Sequence, residues 1–175
     1  MEVDTYYQSG YESSSSGANG FIIILTGILV IYILTAIVAI AGSNTTWFQS
    51  LNIGSGNVWI LWIAWIVTTL ISYIGLYLFH SGCDYWPDRQ SRNLAILFLI
   101  GAILSLAWIA IFFYGQNIGL SLWLVSALFI YKFTVFAYMW SIRPLAAIFL
   151  IPLLLFYVYL FYAVGHLATL NKVPL

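Results

Sequence analysis

Five long apolar runs, separated by short polar segments, follow one another along this chain. The runs cover residues 21–41, 58–79, 94–114, 120–142 and 145–168, and each holds 21 to 24 residues. At about 1.5 Å of rise per helical residue, such a run extends for roughly 31 Å, close to the ~30 Å hydrocarbon core of a bilayer. Because backbone groups in lipid have no water to bond, each run must be a helix. The pattern predicts an all-α integral membrane protein with five transmembrane helices.

The polar segments decide the topology and the ends of the domain. They are short, and the link between the last two runs is only Arg143–Pro144. Short links make sequential helices antiparallel neighbours, so we predict an up-down bundle. Residues 1–20 are rich in serine and carry three acidic residues and no basic one, which is typical of a disordered tail. We therefore predict a polar tail over residues 1–20 and a transmembrane domain over residues 21–171.

The few charged residues narrow the class of protein further. Charged residues make up 6% of the chain, against about 25% in a soluble domain. The net charge is zero, so the chain has no basic face for nucleic acid. A single cysteine excludes an internal disulfide and a cysteine-based metal cluster. We expect the lipid bilayer as a partner, and no metal, required cofactor or catalytic residue.

The basic residues outside the runs predict an orientation. Arg89, Arg92 and Arg143 lie on the side of the membrane that carries the N-terminus, and Lys172 lies on the other side. Because basic residues are enriched in cytoplasmic loops, this distribution places the N-terminus inside. Five spans put the two termini on opposite sides.

Aromatic residues are 19% of the chain and lie at helical spacing in three of the runs. Residues three or four apart share one face of a helix, so each of these runs has one aromatic-bearing face. If the three faces converge, they line a cavity suited to a flat apolar ligand with a polar edge. Ordinary helix packing, with aromatic side chains facing lipid, gives the same pattern. The faces comprise Trp62, Trp65, Thr69 and Tyr73; Ser105, Trp108 and Phe112; and Phe156, Leu160 and Val164.

Lys132 is the only charged residue inside any apolar run, near the middle of the fourth. A lysine at the bilayer centre costs at least about 2.5 kcal/mol on insertion scales. No acidic residue lies inside any run to pair with it. One interpretation is that Lys132 faces the bundle and pairs with a ligand carboxylate or a carbonyl. The other is that it reaches towards the interface or is deprotonated in place.

Several short motifs occur in a characteristic order from about Trp47 to Asn171. They include Trp47, Phe48, Leu51, Trp59, Trp65, Gly75, Tyr77, Leu104, Ala107, Trp108, Phe112, Phe113, Pro144, Leu145, Ala146, Ala147, Pro152, Leu154, Leu170 and Asn171. This order resembles that of the translocator protein / tryptophan-rich sensory protein family (TspO/MBR), also called peripheral-type benzodiazepine receptors. The resemblance covers nearly the whole predicted bundle.

The resemblance implies a five-helix bundle, commonly dimeric, with a cavity that opens near the first loop. Members of the family bind porphyrins, and some bind cholesterol or benzodiazepine-like drugs. The resemblance also implies the mitochondrial outer membrane if the source is eukaryotic, and otherwise a cell membrane. We expect a hydrophobic small molecule, such as a porphyrin or a sterol, and a second copy of the chain as partners.

The sequence departs from the family pattern at positions that bear on the ligand. Of the two tryptophans that the family links to porphyrin chemistry, one corresponds to Trp65 and the other to Phe156. The family's tyrosine one turn after the first tryptophan corresponds to Thr69, and its third-helix asparagine corresponds to Ser105. The basic residue that completes the family's cholesterol motif in the fifth helix is missing.

These observations predict a membrane protein that binds a hydrophobic ligand such as a porphyrin, a haem-like tetrapyrrole or a sterol. A translocator would also transport this ligand. Aromatic side chains would stack on the ligand, hydroxyls would bond its edge, and the lysine would neutralise a propionate. The residues assigned to the ligand are Trp65, Thr69, Ser105, Trp108, Phe112, Lys132, Phe156 and Leu160.

Two other functions stay open on the sequence. One is a membrane interaction or scaffold protein with a degenerate cavity, which the departures from the family pattern favour. The other is light- or oxygen-dependent breakdown of a porphyrin by a redox-active tryptophan. That enzyme fits less well, because Trp65 is present while its usual partner is Phe156.

Overall fold

The computed structural model describes residues 4–53, 58–81 and 89–172, and this part of the chain is helical without a strand. Two short helices occur beside five long ones, and a 3₁₀ turn at Ile148–Leu150 connects the last two helices. The helices are α1 (Asp4–Ser43), α2 (Thr46–Ser50), α3 (Val58–Ser81), α4 (Arg89–Phe113), α5 (Ile118–Ile142), α6 (Pro144–Ala147) and α7 (Ile151–Leu170).

Five segments are long and apolar enough to cross a membrane, which confirms the predicted five-helix membrane bundle. They are Phe21–Ser43, Trp59–Ser81, Arg89–Phe113, Ile118–Ile142 and Pro144–Leu170. The bounds differ from the apolar runs mainly at α4, which begins at Arg89 rather than at residue 94. Charged residues can continue a helix beyond the hydrocarbon core, because water there solvates their side chains.

The first helix is longer than the first apolar run. It begins at Asp4, so residues 4–20, predicted from composition to be a disordered tail, are helical in the structure. Adding residues to an existing helix needs no new nucleation, so a stable apolar helix can propagate into a polar segment. The division of the chain at residue 20 into a tail and a transmembrane domain stays a prediction.

The fifth span contains two prolines and a short 3₁₀ turn between them. Pro144 lies in the first turn of α6, and Pro152 lies in the first turn of α7, after the 3₁₀ turn. In the first turn of a helix the missing N–H of proline leaves no bond unmade. The chain therefore accommodates Pro152 next to a local 3₁₀ turn, while the backbone keeps right-handed helical angles from Ala147 to Ile151.

The helices pack in an order that differs from their order in the sequence. The most extensive contacts of α1 are with α4, whereas α3 packs on α6, α7 and the 3₁₀ turn between them. The helix α5 packs on both α4 and α7. Around the bundle, neighbouring helices therefore follow one another in the order α1, α4, α5, α7 and α3. The ring contact of Tyr32 with Trp65 connects α3 back to α1, so the inward faces of all five spans surround one interior.

Candidate functional site

All eight residues that the sequence assigns to a ligand are buried between the helices, each at most 6% exposed. Their burial matches the inward faces predicted from helical spacing. The structure places five of them in two groups at different depths, with Trp65 between the groups and with Phe156 and Leu160 outside both. The eight residues are Trp65, Thr69, Ser105, Trp108, Phe112, Lys132, Phe156 and Leu160.

The deeper group, here called the central polar cluster, joins side chains from five helices. Its members come from all five long helices: Tyr32 of α1, Thr69 and Tyr73 of α3, Ser105 of α4, Lys132 of α5 and Tyr157 of α7. The Lys132 ammonium donates to the Tyr32 hydroxyl at 3.2 Å, and the hydroxyls of Ser105 and Tyr157 are 3.1 Å apart. Since Ser105 donates to the Gly101 carbonyl at 2.8 Å, Tyr157 is the donor to Ser105.

Lys132 faces the interior of the bundle and is 3% exposed. Its ammonium lies 6.0 Å from the ring centre of Tyr32 and 5.8 Å from that of Phe98, at cation–π distance. It also contacts α4 at Gly101, where a Cβ would collide with it. The side chain therefore faces the bundle and not lipid, whereas its pairing with a ligand carboxylate stays a prediction.

Two hydroxyls of the central polar cluster have no hydrogen-bond partner among the residues that the structure describes. They are the Thr69 hydroxyl and the Tyr73 hydroxyl, both buried at the oxygen. A threonine in a helix usually bonds the carbonyl one turn back. Here the carbonyl of Trp65 is taken by Thr68 at 3.1 Å. Buried polar groups cost free energy when they lack a partner, so these two hydroxyls mark a place that is incomplete without one.

The second group, here called the aromatic cluster, lies at the end of the bundle that carries α2. Trp108 and Phe112 of α4 stack at 5.8 Å between ring centres, and Phe112 meets Trp47 at 5.7 Å. The Trp108 indole donates to the Ser121 carbonyl at 3.2 Å, which fixes the ring against α5. The remaining members are Phe48, Trp62 and Phe113.

Trp65 connects the two clusters. Its ring lies 6.4 Å from Trp62 in the aromatic cluster and 5.8 Å from Tyr32 in the central polar cluster. Ring contacts at these distances are each worth about 0.5–1.5 kcal/mol beyond area burial. A continuous aromatic surface therefore leads from the α2 end of the bundle to its polar centre.

The two α7 candidates take less direct positions. Phe156 contacts Tyr157 edge to face at 6.0 Å and so lies beside the central polar cluster. Leu160 is 3% exposed and belongs to the hydrophobic core. The structure brings Trp65, Ser105 and Lys132 close to one centre, and places Trp108 and Phe112 together at the α2 end.

Sequence reasoning missed Tyr32 and Tyr157 as members of the site. Tyr32 carried a usable signal, because it is the only tyrosine in the first run and, with Phe21, one of only two aromatic residues there. Tyr157 carried none, because Tyr159 and Tyr162 follow it on the same helix. Those two are 56% and 67% exposed, and the choice among the three needs the rotation of α7.

Five membrane-length helices around a buried aromatic and polar interior define an integral multi-pass membrane protein. The chain belongs to the TspO/MBR family, whose model matches residues 20–169. The match covers all five spans and confirms the resemblance drawn from the order of motifs. No curated protein and no solved structure matches the chain.

Proposed function

We propose that this chain is a translocator-like membrane protein that binds a hydrophobic tetrapyrrole, such as a porphyrin, between its helices. Membership of the TspO/MBR family supports the translocator-like class. The same membership supports a homodimer as the working assembly and transport as the outcome of binding. A sterol is the alternative ligand.

The position of Trp65 is the observation that carries the proposal. It is 5% exposed, faces the interior and contacts aromatic rings on both sides. One turn further along α3, the buried Thr69 hydroxyl lacks a partner. A flat macrocycle offers a large face for stacking on indole and polar atoms at its edge, which is the combination that these neighbours match.

The central polar cluster favours a tetrapyrrole over a sterol. A sterol is apolar apart from one hydroxyl, and it would leave the Lys132 ammonium without an added partner. A porphyrin with propionate groups carries both the aromatic face and the negative charge that such a site accepts. The absence of the family's complete cholesterol motif agrees with this choice.

The test is a titration of the purified protein in detergent with protoporphyrin, followed by the Soret band and by tryptophan quenching. We expect saturable binding that Trp65→Phe weakens roughly fivefold, or about 1 kcal/mol, through loss of the larger ring. Trp123→Phe is the matched control, because Trp123 is 72% exposed on α5 and belongs to neither cluster. It should bind as the wild type does.

Two results would contradict the proposal. The first is the lack of any saturable change, which would favour the scaffold protein with a degenerate cavity. The second is an equal loss of affinity in Trp65→Phe and Trp123→Phe, which would place the porphyrin on the lipid-facing surface rather than between the helices.

A further inference from the structure

The Lys132 ammonium has more N–H donors than hydrogen-bond acceptors around it in the part of the chain that the structure describes. The Lys132 ammonium has three N–H groups to donate, and its hydrogen bond goes to the Tyr32 hydroxyl. Tyr32, having accepted this bond, keeps its own O–H to donate. In the part of the chain that the structure describes, no carboxylate contacts Lys132, and the rings of Tyr32 and Phe98 and the backbone at Gly101 lie beside its ammonium.

The unpartnered hydroxyls lie on the α3 side of the same centre. Thr69 is 5% exposed, and its hydroxyl oxygen has no hydrogen-bond partner in the part of the chain that the structure describes. The Tyr73 hydroxyl also has none, and its ring meets Tyr32 edge to face at 5.8 Å. An ammonium with one hydroxyl acceptor thus lies in the same interior as two hydroxyls without partners among the described residues.

A carboxylate supplies what this arrangement lacks. It is a pure acceptor with two oxygens and about four lone-pair positions, so it can take bonds from an ammonium and from hydroxyls together. Its charge also compensates the ammonium, and such charge-assisted bonds are about twice as strong as neutral ones. An uncharged ligand provides neither the acceptor capacity nor the compensation.

We propose that the central polar cluster binds the carboxylate of an amphipathic ligand, with Lys132 as the charge partner and Tyr32, Thr69 and Tyr73 as hydroxyl donors. This inference rests on the proposed function, and it narrows the ligand class to acids. A propionate of a porphyrin and the headgroup of a long-chain fatty acid offer the same chemistry. Gly101 is part of the site, because a side chain there would occupy the position of the ammonium.

The experiment compares three ligands on three proteins. The ligands are protoporphyrin, its dimethyl ester, which keeps the ring and removes both charges, and oleate. The proteins are the wild type, Lys132→Met and the control Lys172→Met, whose lysine lies exposed after α7. Affinities are measured in the same detergent, with spectral titration for the porphyrins and competition for oleate.

We expect the wild type and Lys172→Met to bind the acid on the order of thirtyfold more tightly than the ester, as for a buried charge pair. Lys132→Met should lose this preference and bind the ester as the wild type does. An equal affinity for acid and ester in the wild type, or an unchanged preference in Lys132→Met, would overturn the inference while leaving porphyrin binding intact.

The other outcomes separate this inference from the proposed function. If neither porphyrin binds but oleate binds in a Lys132-dependent way, the carboxylate site stands and the tetrapyrrole does not. If no acid binds in a Lys132-dependent way, the carboxylate site is wrong. Should Lys132→Met fail to fold, Tyr73→Phe serves instead, because it removes one donor and should reduce the preference for the acid several-fold.

Discussion

At the scale of single residues, the free-energy cost of burying Lys132 is the feature that most requires a physical explanation. A lysine at the centre of a bilayer costs at least about 2.5 kcal/mol. Within the bundle the ammonium meets one hydroxyl at 3.2 Å and two aromatic rings near 6 Å. That compensation is weaker than a carboxylate gives. Lys132 is therefore better suited to binding an acidic ligand than to stabilising the fold.

Replacing Lys132 by methionine should stabilise the ligand-free protein while it weakens the binding of acids. Methionine keeps a similar length without a charge to bury, so we expect the free energy of unfolding to rise by about 1–3 kcal/mol. Thermal unfolding in detergent, monitored by circular dichroism, measures the change.

Tyr32→Phe is the counterpart of that variant. It removes the acceptor of the Lys132 bond and leaves a buried ammonium without it, so stability should fall by about 1–3 kcal/mol. If Lys132→Met lowers the melting temperature as Tyr32→Phe does, the lysine is a structural element of the bundle and the argument from its cost fails.

At the scale of elements, a close approach between α3 and the start of the fifth span holds the site together. A Cβ at Gly75 would lie 2.7 Å from the Ala146 carbonyl oxygen and 2.9 Å from the Phe149 Cβ. Both distances are too short for unstrained packing, and neither group is the flexible end of a side chain. Small residues that let backbones approach are typical of helix contacts in membranes.

Gly75→Ala should therefore push α3 away from α6 and the 3₁₀ turn. We expect a loss of stability of about 1–3 kcal/mol, the usual cost of overpacking, and weaker porphyrin binding because α3 carries Trp65 and Thr69. Gly27→Ala on α1 is the matched control, since nothing lies within 4 Å of the added Cβ. Equal melting temperatures for the two variants would show that the approach is not tight.

The elements themselves follow from the sequence, whereas their pairing does not. Run length against bilayer thickness predicts five spans, because lipid allows the backbone few alternatives. The contact of α1 with α4, and of α3 with the fifth span, is not encoded in the run lengths. It depends on which faces are small enough to meet, as at Gly75, and single-sequence periodicity does not pair such faces.

The same limit applies to the site. Helical spacing correctly placed Trp65, Ser105 and Phe156 on inward faces, and the rarity of charge singled out Lys132. The partners of these residues were not predictable in that way. Tyr157 has two neighbouring tyrosines on α7, and its contact with Ser105 spans 52 positions of the sequence. Hydroxyls meet across helices only when rotation and depth are both fixed.

At the scale of the whole molecule, the basic residues predict an orientation that is open to direct test. Arg89 and Arg143 follow the positive-inside rule if the N-terminus is cytoplasmic. Epitope tags at the two ends should then differ: the N-terminal tag should be protected in sealed cells and the C-terminal tag accessible. Tags accessible on the same side would contradict five spans, and a reversed pattern would contradict the orientation.

The central claim is that an acidic tetrapyrrole binds among the helices with its carboxylate at the central polar cluster. An experimental structure of the protein with protoporphyrin tests it most directly. The account predicts the macrocycle against Trp65, with one propionate within hydrogen-bond distance of the Lys132 ammonium and of the Thr69 or Tyr73 hydroxyl. A porphyrin on the outer, lipid-facing surface, or one between the helices with both propionates directed away from Lys132, would contradict it.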